Sequence, residues 1–193
     1  MIRLYLETNF LMSVCTGRTP KADELLDLGE DVEIVLPIVC FMEAHHGFKG
    51  DRIAKIRFKE PFESQIDNII RHKDAHAQEA ARALAAADAA LVRYLDDSER
   101  RLTDVIERTS ARARLITSSR EVLARKVHSY RSDPTDDMIL GSIIEDASIN
   151  PLDKMAFFSE DGGFGQPTVA AALCNVGIAH FDAIDPCLAW CRE

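Results

Sequence analysis

No stretch of this chain stays apolar for the ~18 residues that a bilayer-spanning helix needs. Met1-Ile-Arg-Leu-Tyr-Leu6 runs straight into strand-like sequence, without the charged and apolar regions of a secretory signal. Both absences lead to the expectation of a cytoplasmic protein with no membrane partner. The five cysteines are odd in number and contain no C-x-x-C, which fits reduced thiols better than a disulfide framework or a zinc knuckle. Cys187 and Cys191 lie one helical turn apart and could share a metal. With no second Cys/His pair at matching spacing, a packed helix face is the plainer reading. Basic side chains are in deficit, 23 against 32 acidic, for a net charge of −9. What is present is ordinary: 193 residues, 47% hydrophobic, enough for one domain to build a core without disulfides or a structural metal. Such a composition excludes a disordered or collagenous chain.

The overall charge hides a division. Residues 49 to 131 hold 18 of the 23 basic side chains and 13 of the 32 acidic ones, net +5, which leaves −14 for the two ends together. An acidic shell around a basic middle is what a carboxylate metal site with a separate polyanion-binding lobe produces; a solvated helical lobe of mixed charge is the alternative.

Along the chain, Ile2 to Leu6 reads as a strand, and Glu7-Thr-Asn9 leads into an apolar helix, Phe10 to Cys15. Residues 20 to 28 open with Pro20 and close at Gly29 as a short helix. Val32 to Leu36 is a second strand, and Pro37 starts a helix that carries Phe41, Glu43, His45 and His46 and is expected to stop near Gly47. The stretch from Pro61 to Tyr94 is Ala-rich and helical. Asp96-Asp97-Ser98 predicts the cap of a further helix to about Arg114, and Ser118-Ser119 the cap of one to about Tyr130. Nothing from 49 to 131 reads as strand, so that segment is expected to be a helical insertion. Asp133-Pro-Thr135 caps a helix over 136–148, followed by a strand at Lys154–Phe158, a loop at Ser159–Gly165, a helix from Pro167 ending at Gly177, a strand at Ile178–Phe181 and a last helix with Trp190. Alternating strands and helices predict a parallel sheet with right-handed crossovers, whose chemistry collects at the carboxyl ends of the strands.

Acidic residues fall at those ends. Glu7 follows the first strand, Glu43 lies in the apolar run IVCFMEA after the second, Asp136 and Asp137 open the helix before the later strand, and Asp161 follows that strand. Aspartates in a first helical turn, and Asp161 before Gly162-Gly163, have ordinary capping and turn roles. Glu43 and Glu7 are harder to dismiss, because a charge facing a core needs a partner. Carboxylates gathered at one sheet edge repel one another, and a hard cation such as Mg²⁺ or Mn²⁺ is the usual resolution.

Leu4-Tyr-Leu-Glu-Thr-Asn-Phe-Leu11 resembles the opening of the PIN domain, a family of metal-dependent ribonucleases whose first strand runs into Asp-Thr-Asn/Ser. Pro37 to Glu43 is similar to the family's second acidic motif, Asp137-Met-Ile-Leu-Gly-Ser142 to the third, and Phe158-Ser-Glu-Asp-Gly-Gly-Phe164 to the fourth. The four occur in the family's order over roughly residues 1 to 47 and 115 to 182. The resemblance implies a three-layer α/β/α fold with a central parallel sheet of four or five strands, interrupted by the helical insertion. It implies a Mg²⁺ or Mn²⁺ site of Glu7, Glu43, Asp137 (or its neighbour Asp136) and Asp161, supported by Asn9 and Ser159. The first acid is Glu where the family has Asp, and the insertion is larger than a compact toxin nuclease carries.

Other candidates are weaker. His72 and His76 have a zinc-pair spacing without the Glu of a metalloprotease, and Gly162-Gly-Phe-Gly165 lacks the frame of a phosphate loop. Between 100 and 131, nine basic residues (Arg100, Arg101, Arg108, Arg112, Arg114, Arg120, Arg125, Lys126 and Arg131) meet only Asp104, Glu107 and Glu121. That surplus predicts a nucleic-acid face including Arg108, Arg112 and Arg114. The expected function is a metal-dependent endoribonuclease; the alternative, favoured by Glu7, is a catalytically weakened PIN-like module that binds RNA or a protein. A homodimer and an inhibitory protein partner are both left open.

Overall fold

The computed structural model describes residues 1–124, 130 and 133–193. Five parallel strands form one sheet in the order β3-β2-β1-β4-β5: β1 Ile2–Tyr5, β2 Val32–Pro37, β3 Arg114–Ile116, β4 Met155–Phe158 and β5 Ile178–Phe181. The helices are α1 Thr8–Thr16, α2 Val39–Ile70, α3 Ala75–Arg112, α4 Arg120–Leu123, α5 Pro134–Ile149, α6 Pro167–Asn175 and α7 Ile184–Cys191. Strands β1 and β4 are buried at every position, as expected of a sheet covered on both faces. Right-handed crossovers put α1, α2 and α3 on one face and α5 and α6 on the other, compatible with α/β/α layering. Tyr5, Phe10, Phe157, Phe158 and Phe164 fill the core.

Topology selects the place for a site. From β1 the chain moves outward to β2 on one side, while β4 lies on β1's other side and leads outward to β5. The strand order therefore reverses between β1 and β4, and the crevice beyond their carboxyl ends is where open parallel sheets bind ligands.

The chain departs from expectation in four respects. Helix α2 does not stop near Gly47; it continues through Gly47, Gly50 and Pro61 to Ile70. Its half-buried positions Arg52, Lys55, Lys59, Phe62, Ile66 and Ile69 alternate three and four residues apart, as do Leu84, Asp88, Leu91, Leu95, Ser98, Leu102, Val105 and Thr109 on α3. The two helices thus pack as an antiparallel pair along a heptad seam, which offsets the roughly 1 kcal/mol that each interior glycine costs. Ser98 caps nothing: its hydroxyl donates to the Tyr94 carbonyl inside a continuous α3 that is roughly 57 Å long at 1.5 Å per residue. Residues 114–116 are not helical but form β3, pairing with β2 through Val35↔Arg114, Leu36↔Leu115 and Pro37↔Ile116. The segment from 20 to 28 is a 3₁₀ helix, Ala22–Asp27.

Ser119 caps α4 as expected, accepting from the Val122 amide, but α4 has only four residues; the remainder expected to be helical reaches Arg125 and Lys126, which lie outside the described residues, as does Arg131. Asp133 caps α5, accepting from the Thr135 and Asp136 amides. Among the described residues no helix is long and apolar enough to cross a membrane.

A partly buried ionic knot ties the edge strand to the sheet. Arg114 forks onto Asp146 (2.8 and 2.9 Å) and reaches Glu33 (2.7 Å), while Arg3 pairs with Glu33 and Tyr5 donates to Asp146 (2.8 Å). These partners hold the Asp146 and Glu33 carboxyls below their ordinary pKa against burial that pushes the other way.

Candidate functional site

Glu7 is the residue that joins β1 to α1. Its carboxylate caps α1 by accepting from the Asn9 amide (2.7 Å), and its other oxygen accepts from the Ser159 hydroxyl (2.9 Å), which reaches it from the end of β4. Only 2% of Glu7 is exposed, and no Lys, Arg or His lies within ion-pair distance of it among the described residues. Burial, followed by the charges of Glu43 and Asp136, raises its pKa from 4.5 to about 8, although both hydrogen bonds pull it down.

Glu43 sits on the first turns of α2, which β2 delivers to the same edge, and its carboxylate accepts from the Thr8 hydroxyl. Its pKa is raised by burial and by Asp136, Asp133 and Asp161, partly offset by Thr8. Asp161 is fixed by the loop after β4: its amide donates to Ser159 Oγ (3.1 Å) and its carboxylate accepts from the Gly163 amide (2.7 Å). The acids of β1, β2 and β4 thus sense one another across the switch point.

Asp136 and Asp137 divide their duties. Asp136 is the one whose charge is felt by both Glu7 and Glu43; Asp137 is buried and accepts from the Tyr130 amide (2.5 Å). Successive helical positions point ~100° apart, so the two carboxylates take different directions. Asp136, expected as the alternative to Asp137, is the member whose charge acts on both Glu7 and Glu43.

Next to Asp161 an open cleft of about 510 Å³ is lined by Asn9, Arg18, Thr19, Glu160, Asp161 and Gly162. Glu160 accepts there from the hydroxyls of Ser13 and Thr19. Asn9 and Ser159 both serve Glu7, Asn9 through its backbone amide. Sequence reasoning passed over Thr8 and Arg18. Thr8 carried a visible signal, a hydroxyl residue directly after the first acid, whereas nothing local marks Arg18.

The donor chemistry suits a hard divalent cation: carboxylates that raise one another's pKa, with no Lys, Arg or His paired to Glu7 or Glu43 among the described residues. As the side chains stand, no group of three or more His, Cys, Asp or Glu among the described residues is gathered tightly enough to hold one. The acids are neighbours but not a closed cage.

The arginines expected to form a nucleic-acid face are engaged within the fold. Arg112 donates to the carbonyls of Leu28 (3.2 Å), Gly29 (2.9 Å) and Val32 (2.8 Å), Arg114 belongs to the ionic knot on β3, and Arg108 pairs with Asp27 (3.0 Å) and Asp104 (3.8 Å). All three thus have partners inside the fold, with Arg108 and its acids at the surface. His72 and His76 are exposed at the turn between α2 and α3. Cys187 and Cys191 are buried together on α7, each shifting the other's thiol. Comparisons with protein-family models, with curated proteins and with solved structures find no match to this chain.

Proposed function

We propose that the chain is a PIN-like, metal-dependent nuclease that hydrolyses phosphodiesters, with RNA as its substrate. One observation carries the reading. Glu7 is a carboxylate buried at the end of the central strand, at the topological switch point, with acidic neighbours from α2 and α5 and a pKa raised to about 8. A structural carboxylate is ordinarily paired, as Glu33 and Asp146 are in this same sheet; one that is left to like charges is kept for a cation or a proton.

In this reading Glu7, Glu43, Asp136 and Asp161 would hold Mg²⁺ or Mn²⁺. A bound divalent cation supplies Lewis acidity toward the phosphodiester and makes water nucleophilic near neutral pH. The chain's own groups position the acids: Ser159 and the Asn9 amide aim Glu7, Thr8 aims Glu43, and the Gly163 amide aims Asp161. The open cleft beside Asp161 gives the substrate access. Incubation with a mixed panel of RNA and DNA in Mg²⁺, Mn²⁺ and EDTA tests the proposal. Cleavage that EDTA abolishes supports it; intact substrate in both metals, with no metal-induced rise in melting temperature, ends it.

A second reading is favoured by the absence of a closed cage among the described residues and by Glu7 standing where the family has Asp: a PIN-like module that binds RNA or a protein with weakened catalysis. Metal-induced stabilisation without cleavage is its signature.

A further inference from the structure

We propose that single-stranded nucleic acid runs from the acidic site over the segment Gly17–Lys21 to the base of α3, with Arg18 and Arg101 taking its phosphates. The inference rests on the nuclease reading and adds a path for the substrate.

Two clefts meet at Thr19. The first, beside Asp161, includes Arg18; the second, about 290 Å³, lies between Gly17–Lys21 and α3 and includes Arg101, Arg108, Lys21, Asp23 and Asp104. Thr19 lines both, so the two clefts adjoin at that residue.

The cations along those clefts differ in what they already hold. Lys21 pairs with Asp185 (2.9 Å), and Arg108 is shared by Asp27 and Asp104. Arg18 and Arg101 have no carboxylate within ion-pair distance among the described residues. Arg18 donates only to the Ser13 hydroxyl (2.9 Å), and Arg101 donates to the Cys15 carbonyl (2.8 Å) and the Ser98 hydroxyl (3.2 Å). Both therefore keep spare N–H donors suited to the fork geometry of phosphate oxygens, with Glu160 reaching Arg18 only through the Ser13 hydroxyl.

Their placement is firm. Gly17, at φ 68°, closes α1 with its amide on Ser13 and Val14, and the Arg18 amide also bonds to the Ser13 carbonyl. The buried Cys15 thiol, raised to about 11 by burial, is drawn back by Arg101 and Arg18, which sets both charges at the same end of α1. A purely structural role would have these arginines complement the carboxyl end of α1, a duty that needs no ligand.

The two roles separate in the salt dependence of binding. The experiment measures anisotropy of a labelled single-stranded oligoribonucleotide in Ca²⁺, over a series of salt concentrations, for wild type, Arg18→Ala, Arg101→Ala, the double variant and the control Arg82→Ala on the distal part of α3. Each single variant is expected to bind about tenfold more weakly at low salt and to lower the salt slope by roughly 0.7, the double variant by roughly 1.4, with Arg82→Ala unchanged. Arg18→Glu, on an exposed side chain, decides the matter if Arg101→Ala fails to fold. Wild-type slopes in the variants of a protein that does cleave RNA overturn the path and leave the nuclease reading intact. Loss confined to Arg82→Ala moves the strand onto the helical pair and also overturns it. A wild-type protein that neither binds nor cleaves ends both.

Discussion

Replacing Glu7 by Gln removes one buried negative charge and keeps the side chain's shape. The Glu7 carboxyl has a pKa of 4.5 unperturbed and about 8 in the fold. Between those values the folded chain holds a proton that the unfolded chain has released, so stability is full below about pH 4.5 and is lost as pH rises through 8. The loss at pH 8 is on the order of 4 kcal/mol, from 1.36 kcal/mol per pKa unit. Gln carries no such penalty, but its amide group faces one of the two donors, Asn9 N–H or Ser159 O–H, at a cost of about 1 kcal/mol at any pH. Glu7→Gln in EDTA is therefore slightly less stable than wild type at pH 5 and more stable at pH 8. At 2–4 °C per kcal/mol for a chain of this size, the crossing spans roughly 8–16 °C in melting temperature. Scanning calorimetry from pH 5 to pH 8 in EDTA reads it, and the same scans with Mg²⁺ or Mn²⁺ should raise wild type at pH 8 while leaving Glu7→Gln nearly unmoved. Parallel pH profiles for the two proteins would refute the account of Glu7 as a charge held against its neighbours.

Asp161→Asn should abolish EDTA-sensitive cleavage of RNA while leaving the circular dichroism spectrum unchanged; wild-type turnover in Mg²⁺ would remove Asp161 from the site. Asp136→Asn should weaken metal-induced stabilisation, whereas Asp137→Asn, which disturbs the bond from the Tyr130 amide, should lower the melting temperature already in EDTA; the reverse pattern would restore Asp137 as the acid that faces Glu7. Arg114→Ala leaves the mostly buried Asp146 without its forked partner and should cost about 2–3 kcal/mol in urea unfolding, with no change in the salt slope of nucleic-acid binding.

The sheet and the acids were legible in the sequence for the same reason. A buried parallel strand is a short apolar run, and at β1, β2 and β4 each run closes on a polar residue or on Pro37, which is the last residue of β2 and not the start of α2, so the carboxyl edge could be found by counting. Strand β3 was not legible. It has three residues, its first is an arginine, and what makes it a strand is the pairing of Arg114 with Glu33 and Asp146, which are 81 and 32 residues distant. The seam of α2 and α3 was hidden in another way: Gly47, Gly50 and Pro61 are local breakers, and only packing against a second helix offsets them.

The basic surplus of the middle is real as composition, and part of it is paired inside the fold. Charge counting cannot tell an arginine that donates to three backbone carbonyls, as Arg112 does, from one whose partners are neutral hydroxyls and a single carbonyl, as with Arg18 and Arg101. Arg18 lies outside the 49–131 stretch altogether. The +5 excess is partly consumed by acids of the flanking segments: Arg108 by Asp27, and Arg114 by Glu33 and Asp146. Pairing across segments moves positive charge from the helical lobe into the α/β layer, and what remains uncompensated beside the acidic edge is set by the end of α1. The two arginines proposed to take phosphate, Arg18 in the cleft of Asp161 and Arg101 in the adjoining one, stand where the first helix ends.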